Sequence, residues 1–67
     1  MNIKINTEYI TLGQLLKKAD FIQSGGEAKL AVITMKITVN KEPENRRGRK
    51  LYSGDEIMID GKRVVIL

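Results

Sequence analysis

The stretch "IMIDGKRVVIL", residues 57–67, decides the fold class of this 67-residue chain. Two apolar runs flank the dipeptide Asp60-Gly61. Because Asp and Gly readily adopt the positive-φ conformations of a two-residue turn, this arrangement is the strongest short-range signal for a β-hairpin. The chain is therefore predicted to end in a hairpin, with Lys62 and Arg63 at the tip of its turn.

Two further strands are predicted from the alternation of apolar and polar residues. Ile37 and Val39 alternate with polar neighbours, and residues 2–6 show the same pattern and are expected to join the sheet at its edge. The segment Lys41–Asn45 is predicted to be a turn, because Pro43 can neither continue a helix nor pair within a central strand.

Two helices are predicted between the first strand and the rest of the sheet. Thr11 and Gln14 match a capping box, in which each side chain bonds a backbone N–H of the first turn. The next residues place four apolar side chains on one stripe: Leu12, Leu15, Leu16 and Ala19. Ser24–Glu27 repeats the Ser-x-x-Glu capping pattern and is predicted to open the second helix.

The second predicted helix is apolar on two sides. One face carries Ala28, Ala31, Val32 and Met35. Leu30 and Ile33 lie nearly opposite, so we expect this helix to be covered on both sides, between the first helix and the sheet. Lys29 and Lys36 are expected along one flank. The predicted fold class is α+β, with two helices packed on a small antiparallel sheet, and residues 1–67 form one domain.

The composition argues against catalysis and metal binding. The chain contains no cysteine and no histidine, which removes disulfides, thiolate ligands and the commonest general base. Asp55 and Glu56 are adjacent, and neighbouring residues of a strand point to opposite faces, so they are not expected to share a proton or a metal. We therefore expect no catalytic residue, no cofactor and no small-molecule substrate.

The beginning of the chain shows no signal-peptide pattern, and no stretch of about 20 apolar residues is present. We therefore expect a soluble cytoplasmic protein without a membrane partner.

The charge is concentrated in the second half of the chain. The formal net charge is +4, and residues 36–67 hold eight Lys or Arg and five acids, a net +3. The densest part is the run Arg46-Arg47-Gly48-Arg49-Lys50. A solvated loop that only keeps the protein soluble would explain a basic run, but Lys would serve that purpose as well as Arg. Guanidinium groups bond phosphate oxygens in pairs, so the arginines favour phosphate binding.

Two other features have both a structural and a functional interpretation. Ser24-Gly25-Gly26 caps a helix, and its N–H groups could also meet a phosphate. Tyr52 is more often half-buried packing than a surface on which an RNA base stacks. Tyr9 is expected to be structural.

Taken together, the segments "TLGQLLKKAD", "SGGEAKLAVI", "ITVN" and "RRGRKLYSGDEI", with the closing hairpin, resemble the S4-type RNA-binding domain. The similarity is strongest to its free-standing bacterial YaaA/YbcJ-type members. It implies the fold called the αL motif, two helices on a small antiparallel sheet, which binds structured RNA.

The resemblance also implies which residues face the RNA. By position in the pattern they are Ser24, Gly25, Gly26, Lys29, Asn40, Arg46, Arg47, Gly48, Arg49 and Lys50, and Lys36 adds a further cation. Gly54 and Asp55 match a Gly-Asp pair with a structural role. Two positions depart from the family pattern, because Thr34-Met35-Lys36 lacks the glycine at the end of the helix and Lys41 stands where glycine follows Val-Asn.

The leading hypothesis is a non-enzymatic protein that binds structured RNA, most plausibly ribosomal RNA in the ribosome or its assembly intermediates. It requires the arginines to lie on one exterior patch, rather than to be neutralised by Glu42 and Glu44. An alternative is a module that docks an acidic protein partner in translation or replication. Double-stranded DNA binding is disfavoured, because no predicted helix is exposed and basic enough to read a major groove.

Overall fold

The computed structural model describes residues 1–67 and contains two helices and seven strands. The helices are α1 (Leu12–Lys18) and α2 (Ala28–Thr34), and a 3-10 turn, Gly25–Glu27, leads into α2. The strands are β1 (Asn2–Ile3), β2 (Ile10–Thr11), β3 (Ile37–Val39), β4 (Glu42–Pro43), β5 (Lys50–Leu51), β6 (Glu56–Ile59) and β7 (Lys62–Ile66). The predicted α+β class is confirmed.

The closing hairpin is formed by β6 and β7 around Asp60 and Gly61. Their φ angles are 49° and 84°, and Ile59 pairs directly with Lys62. These values match the two-residue turn with positive φ at both positions that Asp-Gly favours. The turn is therefore confirmed, but the prediction that Lys62 and Arg63 lie at its tip is wrong, since both residues already pair within β7.

The larger sheet has five strands in the order β1-β7-β6-β3-β4. All of its pairs are antiparallel except β1 with β7, which are parallel with Asn2 opposite Val65. The sheet is thus mixed, not antiparallel throughout, and its first strand covers two residues instead of 2–6. The direction of β1 follows from the path of the chain into α1, which no local pattern encodes.

The turn after β3 is shorter than predicted and lies earlier. Asn40 and Lys41 connect β3 to β4 with φ angles of 51° and 74°, and Val39 pairs with Glu42. The predicted turn at Lys41–Asn45 is therefore corrected. Pro43 belongs to β4, which is an edge strand, and an edge is the place in a sheet where the missing N–H of proline is tolerated.

Replacing Lys41 by glycine is expected to stabilise the protein by about 0.5–1 kcal/mol. A left-handed conformation costs a residue with a Cβ atom about 1–2 kcal/mol, and the greater freedom of glycine in the unfolded chain offsets part of that gain. Chemical denaturation followed by circular dichroism measures the difference. Lys41→Ala removes the same charge but keeps the Cβ atom, so an equal gain in that variant would contradict the explanation.

Helix α1 forms as the sequence predicts. The Thr11 hydroxyl accepts from the N–H of Gln14 at 3.2 Å, and the Gln14 amide oxygen accepts from the N–H of Thr11 at 2.9 Å. Leu12, Leu15 and Leu16 on the predicted stripe are fully buried. The capping box and the apolar stripe therefore fix the start and the orientation of this helix.

The start of α2 differs from the prediction. The Ser24 side chain makes no capping hydrogen bond, and Glu27 accepts instead from the N–H of Gln23 at 3.3 Å. The two glycines after Ser24 have low helix propensity, and the chain passes through a 3-10 turn before α2 begins at Ala28. The end differs too: Met35 is extended, with φ −86° and ψ 146°, so no glycine is required there.

Only one side of α2 is covered. Ala28, Ala31 and Val32 are buried, as the first apolar stripe predicts. Leu30 and Ile33 are 65% and 72% exposed, so the expectation that both faces are covered is wrong. The reason is architectural, because the sheet has one apolar face over the helices and the chain supplies no second layer. Since α2 ends at Thr34, Lys36 lies outside the helix. The prediction that Lys29 and Lys36 lie along one flank of α2 is therefore wrong.

A separate two-stranded sheet positions the basic run. Strands β2 and β5 pair antiparallel, with Ile10 opposite Leu51 and Thr11 opposite Lys50. Leu51 is fully buried, so it fixes the end of the basic run to the core beside α1. No helix of the structure has the length and apolar character needed to cross a membrane.

Candidate nucleic-acid interface

The basic run is docked on the beginning of α1 by backbone hydrogen bonds. The N–H of Leu12 donates to the carbonyl of Arg49 at 2.9 Å, and the N–H of Gly13 donates to the carbonyl of Arg47 at 2.8 Å. With the Thr11 cap, these bonds occupy the N–H groups that the first turn of a helix leaves without partners. The first turn of α1 therefore holds the loop in place and leaves no free N–H group for a ligand.

Gly13 allows this close approach. A Cβ atom at this position would lie 3.3 Å from the Cβ of Ala28 and 3.4 Å from the carbonyl oxygen of Arg47. The first distance is tighter than an ordinary van der Waals contact. The second is at the lower limit of such contacts and involves a backbone atom. Three segments meet here, namely α1, the start of α2 and the basic run, and the absent side chain of Gly13 lets them meet.

An open cleft of about 410 Å³ lies at this junction. It is lined by Thr11, Gly13, Gln14, Lys17, Gly25, Ala28, Arg47 and Gly48. Two of the lining residues, Lys17 and Arg47, are cations, both are exposed, and no carboxylate lines the cleft. We name this surface the basic cleft. Its composition suits a small anionic group such as a phosphate, which meets donors here without a competing acid.

A buried carboxylate organises the other two arginines. The side chain of Glu44 is only 4% exposed. The Nε and Nη2 atoms of Arg46 donate to its two oxygens at 2.9 and 3.1 Å, and Nη1 of Arg49 donates at 2.6 Å. The backbone N–H groups of Asn45 and Arg46 donate at 3.2 and 3.1 Å. The expectation that Glu44 does not neutralise the arginines is therefore wrong for Arg46 and Arg49.

These bonds change the acidity of Glu44. The hydrogen bonds from the Arg46 side chain outweigh the opposing effect of burial and, together with Arg49, lower the pKa of Glu44 from 4.5 to about 2. The carboxylate is therefore ionised over the whole physiological range, and it holds two guanidinium groups that would otherwise repel each other.

Most of the positive charge of the basic run remains after this pairing. Four cations and the single charge of Glu44 leave residues 44–50 with a net +3. Arg46 keeps 72% of its side chain exposed although it is paired, and Arg49 keeps 34%. Arg47 takes part in no ion pair, since the three pairs of the chain are Arg46–Glu44, Arg49–Glu44 and Arg63–Glu56.

The structure brings together some of the residues predicted for the site and separates others. Gly25, Arg47 and Gly48 line the basic cleft. Gly48 does not adopt a positive φ, and a Cβ atom there would contact nothing, so the fold itself does not require glycine at this position. Lys36 lies beside Asn45 in a hollow between α2 and β4.

Three other predicted residues lie outside the basic cleft. Lys29 is exposed on α2, and Ser24 and Gly26 are exposed at the 3-10 turn. Gly26 borders a hollow on the outer side of α2 beside Leu30. These residues are close in sequence to Gly25 and Ala28, which line the cleft, but they do not line it themselves.

The side chain of Asn40 is exposed and has a structural role, because it bonds to Asp55 and Glu56. Its amide nitrogen donates to the carboxylate of Asp55 at 3.0 Å, and its amide oxygen accepts from the N–H of Glu56 at 3.0 Å. The second oxygen of Asp55 accepts from the N–H of Tyr52 at 2.8 Å. These bonds tie the β3–β4 turn to the start of β6, and they agree with the structural role expected of Asp55.

Two residues of the basic cleft, Lys17 and Gly13, are not among those that the sequence predicts for the site. A glycine in the first turn of a helix otherwise rich in leucine was a usable signal, since glycine there lowers helix propensity and implies a close contact.

Comparison with known proteins identifies relatives of the chain. A family model described as "S4 domain" matches residues 3–67. A curated protein of Bacillus subtilis (strain 168), described as "Probable ribosome maturation protein RlbA", is 61% identical over 59 residues. The aligned part covers 88% of this chain and 83% of that protein.

Proposed function

The chain belongs to the S4 domain family, and on that premise we propose that it is a non-enzymatic, cytoplasmic protein that binds structured RNA through the basic cleft. The RNA is ribosomal RNA, within the ribosome or an assembly intermediate. The description of the B. subtilis relative as a probable ribosome maturation protein supports this choice.

The observation that carries the proposal is that two cations, Lys17 and Arg47, line the same cleft, and that no acidic residue lines it. Arg47 comes from the loop and Lys17 from α1, and the backbone bonds between loop and helix fix the relative position of these two segments before any ligand arrives. Binding then orders the side chains but not the loop, which favours affinity. Arg46, Arg49 and Lys50 extend the positive surface beside it.

Recognition of this kind reads shape and phosphate more than sequence. A small domain offers few side chains for base edges, and the grooves of an RNA helix expose mainly phosphates and 2′-hydroxyls. A cleft lined by cations from two anchored segments suits two neighbouring phosphates, as at an RNA junction. The protein is thus suited to hold a folded RNA segment in place during assembly.

Replacing Arg47 by alanine is expected to weaken binding of a folded ribosomal RNA fragment about tenfold, the loss of one charge-assisted contact. Fluorescence anisotropy with that fragment and with duplex DNA of equal length measures the effect. Wild-type protein is expected to prefer the RNA. Lys62→Ala, on the C-terminal hairpin outside the basic cleft, serves as the control and should bind as wild type. Equal affinity for both nucleic acids, or equal loss in the control, would refute the proposal.

A second candidate function, a module that docks an acidic protein partner, is favoured by one observation. Leu30 and Ile33 form an exposed apolar face on α2, and Lys29 lies beside them. Exposed apolar faces of this kind are characteristic of protein contacts. The variant L30S/I33S separates the two functions, because RNA binding should be unchanged in it. Loss of RNA binding by this variant with its fold intact would place the RNA on α2 instead of the basic cleft.

A further inference from the structure

Two tyrosines from distant parts of the chain meet on the outer face of the two-stranded sheet. The register that places Ile10 opposite Leu51 extends by one residue to place Tyr9 opposite Tyr52. Their ring centroids are 6.0 Å apart and the ring planes are inclined by 50°. They are the only tyrosines in the chain, and both remain exposed, at 37% and 44%.

Packing alone does not account for this arrangement. The two strands are already fixed to the core by Leu51, which is buried, and by Ile10, which is partly buried against it. An aromatic cross-strand pair adds stability, but it does so most effectively when the rings are removed from water. Here substantial ring area faces solvent on the same side as the basic run.

The surroundings of Tyr52 are cationic. Its side chain borders an open hollow of about 500 Å³, whose other lining residues are Arg46, Gly48, Arg49 and Lys50. The Lys50 Nζ atom lies 4.9 Å from the centroid of the Tyr9 ring, a cation–π distance, so Tyr9 positions the ammonium group beside the hollow. The hollow is therefore lined by one aromatic residue, Tyr52, and by three cationic residues.

We propose that this hollow binds one unpaired nucleotide of the RNA, with its base stacked on the ring of Tyr52 and its phosphate beside Lys50 and Arg49. A nucleotide combines a flat π surface with an anionic phosphate, which is the combination that the hollow offers. A paired base inside a helix has both of its faces covered by neighbouring bases. The ligand is accordingly a bulged or loop nucleotide. This inference rests on the proposed function and adds the class of RNA.

The test uses RNA hairpins that differ at one position. One hairpin is fully paired, the second carries a single bulged nucleotide, and the third carries an abasic site at the bulge. Wild-type protein is expected to bind the bulged hairpin about tenfold more tightly than the other two, the range of one base–aromatic stack. Equal affinity of wild-type protein for all three would overturn the inference.

Two variants separate stacking from a structural role. Tyr52→Phe keeps the ring and should retain the preference, whereas Tyr52→Leu should lose it while its affinity for the paired hairpin and its thermal melting stay the same. A 2-aminopurine at the bulge should be quenched by wild type and by Tyr52→Phe only. An equal loss on all three hairpins in Tyr52→Leu would contradict the inference.

The same experiment distinguishes this inference from the proposed function. A result in which Arg47→Ala weakens binding to all three hairpins while wild type binds the three equally supports RNA binding by the basic cleft. That result contradicts the inference of a nucleotide site. If wild type binds the folded ribosomal RNA fragment but none of the hairpins, the inference of the nucleotide site alone is wrong. If it binds neither the fragment nor the hairpins, both proposals are wrong.

Discussion

Replacement of Glu44 by glutamine is expected to lower the free energy of unfolding at pH 7 by about 2 kcal/mol. Glutamine keeps the size of the side chain but removes the charge that holds Arg46 and Arg49 together. Loss of one partner of a buried ion pair costs about 3–5 kcal/mol, and the exposure of Arg46 reduces that figure. For a chain of this size, the loss is a large fraction of the total stability.

The dependence on pH identifies Glu44 as the cause. Its pKa is lowered in the folded protein to about 2, so between that value and 4.5 the unfolded chain binds more protons than the folded one. The stabilisation is therefore complete above about pH 4.5 and disappears as the pH falls towards 2. The difference between wild type and Glu44→Gln should shrink across this window.

Denaturation curves followed by circular dichroism at several pH values measure this difference. Glu42→Gln is the matched control, because Glu42 is exposed, forms no ion pair and lies two residues away. The control should differ from wild type by less than about 0.5 kcal/mol. If wild type and Glu44→Gln lose stability in parallel down to pH 2, the explanation of the ion-pair cluster is wrong.

Reversing both charges of the basic cleft, in the variant K17E/R47E, is expected to weaken RNA binding by about 100-fold or more. Each reversal removes a charge-assisted contact of about 1.5–3 kcal/mol and adds repulsion. The fold should be preserved, since both side chains are exposed and neither takes part in an ion pair. Anisotropy with the folded ribosomal RNA fragment measures the loss, and thermal melting verifies the fold.

A matched control separates the cleft from the overall charge. In K4E/K62E the net charge changes from +4 to zero, as it does in the cleft variant, but both positions lie outside the basic cleft. This control should lose far less affinity than K17E/R47E. Equal losses in the two variants would mean that the protein attracts RNA by its net charge and has no specific site.

The parts of the fold that the sequence predicts correctly depend on local signals. The turn at Asp60-Gly61 and the capping box at Thr11 and Gln14 each need only residues within one turn of the chain. The exposed face of α2 could not be predicted in this way. Leu30 and Ile33 have the pattern of covered residues, and whether a second layer covers them is decided by the whole topology.

The same distinction between local signals and features set by the whole topology applies to the candidate site. The basic run is visible in the sequence, and the resemblance of the chain's segments to the S4 domain predicts RNA binding. Burial of Glu44 is not visible in the sequence. The neighbouring arginines suggest the ion pairs, but the exposure of Glu44 depends on tertiary packing beside β3, where its N–H donates to the carbonyl of Ile37. The contact of Tyr9 with Tyr52 depends on strand pairing between remote segments, so the sequence alone predicts only a structural role for Tyr9.

The salt dependence of RNA binding tests the central claim most directly, namely that Lys17 and Arg47 meet phosphates in the basic cleft. Each phosphate contact contributes about 0.7–0.9 to the slope of log affinity against log salt concentration. The slope of the neutral variant K17Q/R47Q should therefore be smaller than that of wild type by about 1.4–1.8. If the slope of K17Q/R47Q equals that of wild type, the claim is contradicted, whether or not the affinity of the variant is lower.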